Sequence, residues 1–373
     1  MPDGIGCELK MKDIHGGNIR AMARKYGFRT EEMIDFSASI NPLGLHANIK
    51  DAILRNLDLI IHYPDPDYQE LNDVLAGFLR IDAENILVGN GSIEFIYLIP
   101  RTLKPAKVLI PAPAFSEYEK GVVLGGAAPE FIYGKEDGLF SISAPQIIRH
   151  VKDGDMVFLS NPGNPTGLVF EKDSLLEIIE SCDRQGVWVV IDEAFIEFLN
   201  DCDELTLIHE AVKKRRVIVL RSFTKSFSIP GLRLGYLIGH KETVSTLKDS
   251  REPWGINSLA CAAGCEAARD FMYMKSVREI IEVERNFLFS ELGKMICIKL
   301  FPSQANFILG ALCNIRMDAA TLSEKLAMRG ILIRDLTNVR GLDSRFFRFA
   351  VKRRDENERL IAALGDILLS ESD

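Results

Sequence analysis

Between about residue 69 and residue 240 the chain alternates short, unbroken apolar runs with stretches of helical period. The runs are Ile86-Leu-Val88, Val108-Leu-Ile110, Met156-Val-Phe-Leu159, Val187-Trp-Val-Val-Ile191, Val217-Ile-Val-Leu220 and Tyr236-Leu-Ile238. A strand with one wet face alternates apolar and polar residues, but these are apolar throughout. They predict strands covered by helices on both faces, hence an α/β domain with a mostly parallel sheet. Before this region lie a polar arm with a short helix around 18–27, a helix around 46–57, and Tyr63-Pro-Asp-Pro-Asp-Tyr68, whose prolines mark an irregular connection. After it, long helical patterns at 256–294 precede strand-like 298–301, 306–309, 331–334 and 346–351, with helices around 318–328 and 355–370. The expected organisation is an arm over 1–45, a large domain over 46–254 and a smaller α+β domain over 255–373.

Composition narrows this picture only a little. With 373 residues, 47% hydrophobic and 26% charged, the chain reads as an ordinary globular protein. A net charge of −8 argues against a general nucleic-acid binder, and Lys213-Lys-Arg-Arg216 and Lys352-Arg-Arg354 read as solvated faces. The seven cysteines (7, 182, 202, 261, 265, 297 and 313) form no CxxC pair and no zinc set with histidine, so reduced thiols and no metal are expected. No signal-peptide pattern and no apolar run long enough to span a membrane is seen, and a soluble cytoplasmic protein is expected.

In sheets of this kind, sites form beyond the carboxyl ends of the strands. The run Val217–Leu220 empties into Ser222-Phe-Thr224-Lys225-Ser-Phe-Ser-Ile-Pro-Gly231-Leu-Arg233, which sets hydroxyls, one lysine and one arginine around a turn. A lysine there can form an imine with an aldehyde, while Ser222, Thr224 and Arg233 can hold a phosphate; pyridoxal 5′-phosphate needs both. A basic surface loop is the bland alternative, and other strand ends weigh against it. Asp192 follows a buried strand, where a carboxylate is costly unless it pairs with a cation such as a protonated pyridine nitrogen. Asn164, in Asn161-Pro-Gly-Asn-Pro-Thr-Gly167, can donate to a phenolic oxygen, although Asn-Pro pairs also make plain turns. Gly91, Ser92 and Ile93 open a helix whose free N–H groups suit a phosphate, and Phe115 can stack on a ring or simply fill the core. Arg348, inside Phe346-Phe-Arg-Phe-Ala350, and Arg334, after Ile331-Leu-Ile333, are cations in apolar strands that want a carboxylate or phosphate, from a ligand or from an internal salt bridge.

Taken in order, these loops resemble the fold-type I pyridoxal-phosphate enzymes of the aminotransferase class I/II family. The resemblance runs from His15 to the final helix. Two branches compete within it, the histidinol-phosphate aminotransferases and the threonine-phosphate decarboxylases of cobalamin synthesis. The Lys225 and Asn164 motifs are common to both. The second branch is the more similar on His15-Gly-Gly-Asn-Ile-Arg20, Asp35-Phe-Ser-Ala-Ser-Ile-Asn-Pro-Leu-Gly44, Tyr63-Pro-Asp-Pro-Asp-Tyr68, Asp192-Glu-Ala-Phe-Ile-Glu-Phe198, Pro253-Trp254 and Gly341-Leu-Asp-Ser-Arg345.

The resemblance implies a catalytic Lys225 bearing the cofactor, Asp192 at its ring nitrogen and Asn164 at its phenolic oxygen. It places Gly91, Ser92, Ile93, Ser222, Thr224 and Arg233 at its phosphate, with Tyr63 reaching the neighbouring site of a homodimer. His15, Gly16, Ser39, Asn164, Arg334 and Arg348 would contact a phosphorylated amino-acid substrate. Two positions depart from the pattern: Phe195 stands where the aminotransferases carry a tyrosine, and Ser39 where the decarboxylases carry an asparagine. The expected activity is decarboxylation of L-threonine O-3-phosphate. Transamination is the rival, and a non-catalytic binding protein is a third reading that the retained Lys225 disfavours.

Overall fold

The computed structural model describes residues 16–370, so His15 and Cys7 lie outside the described residues. After the short strand β1 (Ile34–Asp35) come seven that form the central sheet: β2 (Ile86–Gly89), β3 (Lys107–Ala112), β4 (Ala128–Tyr133), β5 (Met156–Ser160), β6 (Trp188–Asp192), β7 (Val217–Ser222) and β8 (Gly235–Gly239). Their spatial order is β2-β8-β7-β6-β5-β3-β4, and only β8 runs antiparallel to its two neighbours.

The apolar runs are what make this sheet possible. In β7, Val217 and Val219 enter one buried cluster while Ile218 and Leu220 enter another on the opposite face. Val189 and Val190 of β6 divide in the same way, as do Val157 and Phe158 of β5. Each strand thus buries both rows of its side chains under helices.

The smaller sheet is antiparallel, built from β9 (Ile298–Leu300), β10 (Phe307–Leu312), β12 (Arg334–Asp335) and β13 (Phe346–Ala350) in the order β12-β13-β10-β9. β11 (Ile331–Leu332) instead pairs in parallel with β1, which ties the N-terminal segment to this part of the molecule. The helix Phe271–Leu292 runs between the two cores: Met274, Val277 and Ile281 join the large one, Leu288 and Leu292 the small one.

Two elements differ from the sequence reading. β4 is missing from the sequence reading; it is an edge strand of half-exposed residues whose three-residue apolar run Phe131–Tyr133 is preceded by Pro129 and Glu130. The run 331–334 is not one strand. It changes sheets at Ile333, and this places Arg334 in the ladder with Arg348.

The carboxyl ends of β6 and β7 are locked together by a buried ionic network. Arg221 Nε donates to Glu193 Oε2 at 2.8 Å, Nη1 to Glu197 Oε1 at 2.9 Å and Nη2 to Thr206 Oγ1 at 2.8 Å. Glu193 is fully buried and also accepts from Thr206 Oγ1 and the Leu207 amide. Because Asp192 and Ser222 flank these two residues, the network sets the frame on which both stand. Arg221→Met leaves Glu193 buried without a cation and is expected to cost about 3–5 kcal/mol in urea unfolding. An unchanged unfolding midpoint would show that the network does not hold the strand ends.

Candidate active site

At the carboxyl ends of β5, β6 and β7 the strand register brings Ser160 opposite Asp192, with Ser222 just beyond, beside a cavity of about 500 Å³. Gly16, Ser39, Gly91, Ser92, Ile93, Phe115, Asn164, Asp192, Ser222, Thr224, Lys225, Arg233, Arg334 and Arg348 all line it. Tyr63 does not. It is 82% exposed on the outer surface and tilts against Trp254, with ring centroids 5.0 Å apart.

One end of the cavity is shaped for a phosphate. The helix Ser92–Leu103 begins there, so its first N–H groups face the space. Gly91 has φ +74°, and a Cβ on it would stand 2.7 Å from Arg233 Nη2; only glycine leaves room for that guanidinium. Ser222 Oγ and Thr224 Oγ1 lie 2.7 Å apart across the turn. Arg233 spends one donor on the Pro230 carbonyl at 3.2 Å and has no carboxylate partner among the described residues.

The floor is Asp192. Its Oδ2 accepts from the Tyr118 hydroxyl at 2.7 Å and its Oδ1 from the Ala194 amide at 2.9 Å. Burial raises its pKa despite these donors, as expected of a carboxylate waiting for a cation. Tyr118 is itself fixed by stacking on Phe158 at 5.2 Å and by an edge contact with Phe115 at 5.7 Å. Phe195 packs its ring edge-on to Phe307 at 5.0 Å, so the wall at that point is apolar and offers no hydroxyl.

Lys225 sits on the single helical turn Phe223–Ser226 with no acidic partner among the described residues. Burial, then Arg348 and Arg233, push its pKa down to about 8. A neutral amine is therefore available near physiological pH, and a neutral amine is the nucleophilic form.

The opposite wall carries the two arginines. Arg334 and Arg348 face each other directly in the β12–β13 ladder and are only 7% and 8% exposed. Arg348 Nη1 donates to Asn164 Oδ1 at 2.5 Å and Nη2 to the Ser37 carbonyl at 3.2 Å, while its guanidinium lies 4.8 Å over the Phe307 ring. Among the described residues its Nε has no partner, and burial together with Arg334 pushes its pKa down to about 9. Among them Arg334 has one long bond, to Asn338 Oδ1 at 3.4 Å, and a buried Nη1 without a partner. Ser39 Oγ is likewise buried without a partner among the described residues, while its carbonyl accepts from Asn306 Nδ2 at 2.9 Å.

Three residues of the site carried no signal in the sequence. Tyr118, which stands behind Asp192, has no role assigned by the sequence; Leu336 and Val339, which line the cavity, lie in a loop without pattern.

Fold and cavity define an α/β enzyme built around one lysine and a ring of anion-binding groups. The sequence model of the aminotransferase class I and II family matches residues 31–364, and the chain belongs to that family. It is 35% identical over 355 residues, 95% of this chain and 96% of the relative, to the threonine-phosphate decarboxylase of Salmonella typhimurium. The crystal structure of the histidinol-phosphate aminotransferase from Clostridium acetobutylicum superposes with a TM-score of 0.83 at 32% identity, covering 89% of this chain and 98% of that one. A histidinol-phosphate aminotransferase from Sinorhizobium meliloti, solved in complex with pyridoxal-5′-phosphate, shares the fold with a TM-score of 0.82 at 22% identity, covering 99% of both chains.

Like charges directly opposite in a ladder destabilise a sheet. Arg334→Met is therefore expected to raise the stability of the ligand-free protein by about 1 kcal/mol in urea unfolding. A loss of stability would show that Arg334 is held by the protein itself rather than kept for a ligand.

Proposed function

We propose that this enzyme decarboxylates L-threonine O-3-phosphate to (R)-1-amino-2-propanol O-2-phosphate and CO₂, a step that serves cobalamin side-chain assembly. The observation that carries the reading is the opposed pair Arg334 and Arg348, buried with no ion pair to a carboxylate among the described residues and distinct from Arg233 at the phosphate end. Two such cations suit a substrate with two anionic groups, and threonine phosphate carries a carboxylate and a phosphate. The name borne by the Salmonella typhimurium relative supports the same choice.

The cofactor is pyridoxal 5′-phosphate, and the residues present fit it. The Ser92 and Ile93 amides, Ser222, Thr224 and Arg233 would hold its phosphate, Phe115 would cover its ring, Asn164 would meet its phenolic oxygen and Asp192 its ring nitrogen. Lys225 would hold its aldehyde carbon. When bound, the cofactor supplies an electron sink for a bond breaking at the substrate α-carbon. Asp192 would keep the ring nitrogen protonated, and Tyr118 and Ala194 hold the carboxylate in place for this. Arg334 and Arg348 grip the anionic ends of the substrate and so fix how the α-carbon is turned, which decides the bond that breaks. Lys225, with its pKa near 8, can then hand a proton to that carbon.

Histidinol-phosphate transamination is the second reading, favoured by the name of the Clostridium acetobutylicum structure. Histidinol phosphate has a phosphate but no carboxylate, so in this reading both arginines would be paired only in the half-reaction with 2-oxoglutarate, whose two carboxylates match them. The purified enzyme is expected to release CO₂ from threonine phosphate without any oxo acid, and Lys225→Ala to slow this at least about 100-fold. Turnover of histidinol phosphate with 2-oxoglutarate, and no CO₂ from threonine phosphate, would overturn the assignment.

A second copy of the chain is proposed to cover the outer face around Tyr63. Leu54, Leu57, Ile60 and Ile61 are 48–77% exposed there beside Trp254. An exposed apolar area of this kind marks an interface, and it would bring Tyr63 to the neighbouring site. Sedimentation at micromolar concentration is expected to give a dimer mass; a monomer would exclude the arrangement.

A further inference from the structure

The segment Ile40-Asn41-Pro42-Leu43-Gly44 stands out in the sequence, yet none of its residues lines the cavity. Asn41 is 3% exposed and every polar group it owns is engaged. Its backbone N–H donates to the Lys225 carbonyl at 3.1 Å. Its side-chain Nδ2 donates to the Ser226 carbonyl at 2.7 Å and to the Tyr273 hydroxyl at 2.9 Å. Its Oδ1 accepts from the Leu43 amide at 2.9 Å, and its carbonyl accepts from Ser228 Oγ at 3.0 Å.

Lys225 and Ser226 end a helix of a single turn, whose last carbonyls have no partner of their own. So short a helix does not hold its shape unaided. Asn41, 185 residues away in sequence from Ser226, supplies both missing donors. The segment that carries Asn41 is braced in turn: Asn306 Nδ2 holds the Ser39 carbonyl at 2.9 Å, and Arg353 holds the carbonyls of Pro42 at 2.8 Å and Leu43 at 3.2 Å. Its other end presents Ser37, Ala38 and Ser39 to the cavity beside Arg348.

We propose that Asn41 is a positioning residue for Lys225: by capping the turn that carries the lysine, it keeps the amine in place beside Arg348 and Arg233 and joins it rigidly to the substrate-facing wall at Ser37–Ser39. The inference rests on Lys225 being the reactive amine.

The test uses the full chain with Asn41→Asp and Asn41→Ala, and Tyr273→Phe as a milder change. Asn41→Asp keeps size and the Leu43 bond but turns a carboxylate toward the Ser226 carbonyl. Tyr273→Phe removes the second partner of Nδ2 and the bond from the Tyr273 hydroxyl to the Gly44 carbonyl, and none of these groups lines the cavity. In the cofactor-free protein, competitive acetylation with acetic anhydride, read at Lys225 by peptide mass spectrometry, gives the midpoint of the amine. The wild type is expected near 8, and Asn41→Ala should move upward toward the ordinary 10.5 as the amine slips from its place; Asn41→Asp should also move upward, in part through its own carboxylate, so the midpoint of Asn41→Ala decides. With cofactor and threonine phosphate, kcat is expected to fall about tenfold or more while KM changes less than about threefold. Tyr273→Phe should move both readings the same way by less.

A wild-type midpoint and wild-type kcat in Asn41→Ala overturn the proposal, as does a fall in kcat without any movement of the midpoint. Should the Asn41 variants fail to fold, Tyr273→Phe decides on the same two readings. Lys225→Ala separates the two levels. Full turnover in that variant removes the functional reading itself, whereas lost turnover there with an unmoved midpoint in the Asn41 variants removes only the role of Asn41.

Discussion

Two guanidinium groups that face each other in a buried antiparallel ladder, with no carboxylate bonded to either among the described residues, are the arrangement to which the rest of the site answers. Arg334 and Arg348 repel, and Asp335, Glu117 and Asp35 offset that only from a distance. Arg348 is kept in position by groups brought from elsewhere: Asn164 from the loop after β5, the Ser37 carbonyl from the N-terminal segment, and the face of Phe307 from β10. The repulsion also reaches Lys225, whose amine is less basic because Arg348 and Arg233 stand near it in a buried setting. One accumulation of positive charge thus both demands anionic ligands and makes the lysine a usable nucleophile.

The two cores share the work of holding this charge. The large sheet supplies Asp192, the Ser222–Lys225 turn and the phosphate-facing helix, locked at their base by Arg221 and Glu193. The small sheet supplies the arginine pair. The N-terminal segment bridges them, since β1 pairs with β11 while Asn41 caps the turn of Lys225. Residues 34–44 therefore belong to neither core alone, and small changes in them reach both the substrate wall and the amine.

Much of this was legible in the chain. The unbroken apolar runs announced strands buried on both faces, because only such strands can dispense with polar alternation. Lys225, Asn164 and Asp192 were visible because each stands soon after such a run, where chemistry collects in α/β sheets, and Arg233 because it shares the turn of Lys225. β4 escaped notice because an edge strand has one wet face and Pro129 within it. Tyr118 escaped because its neighbours Ser116, Glu117, Glu119 and Lys120 are polar and give no sign that it is buried with its hydroxyl on Asp192.

By itself the sequence determined most strands of the large sheet, the cofactor class and the residues that follow those strands, since these follow from local pattern and from the chemistry of side chains. It could not determine what meets across distance. That Arg334 leaves one sheet for another at Ile333 and so comes to face Arg348 is a matter of register. That Asn41 caps a turn 185 residues further on is a matter of packing. Both depend on which backbone groups remain unpaired once the cores have closed, and that is decided only by the folded chain.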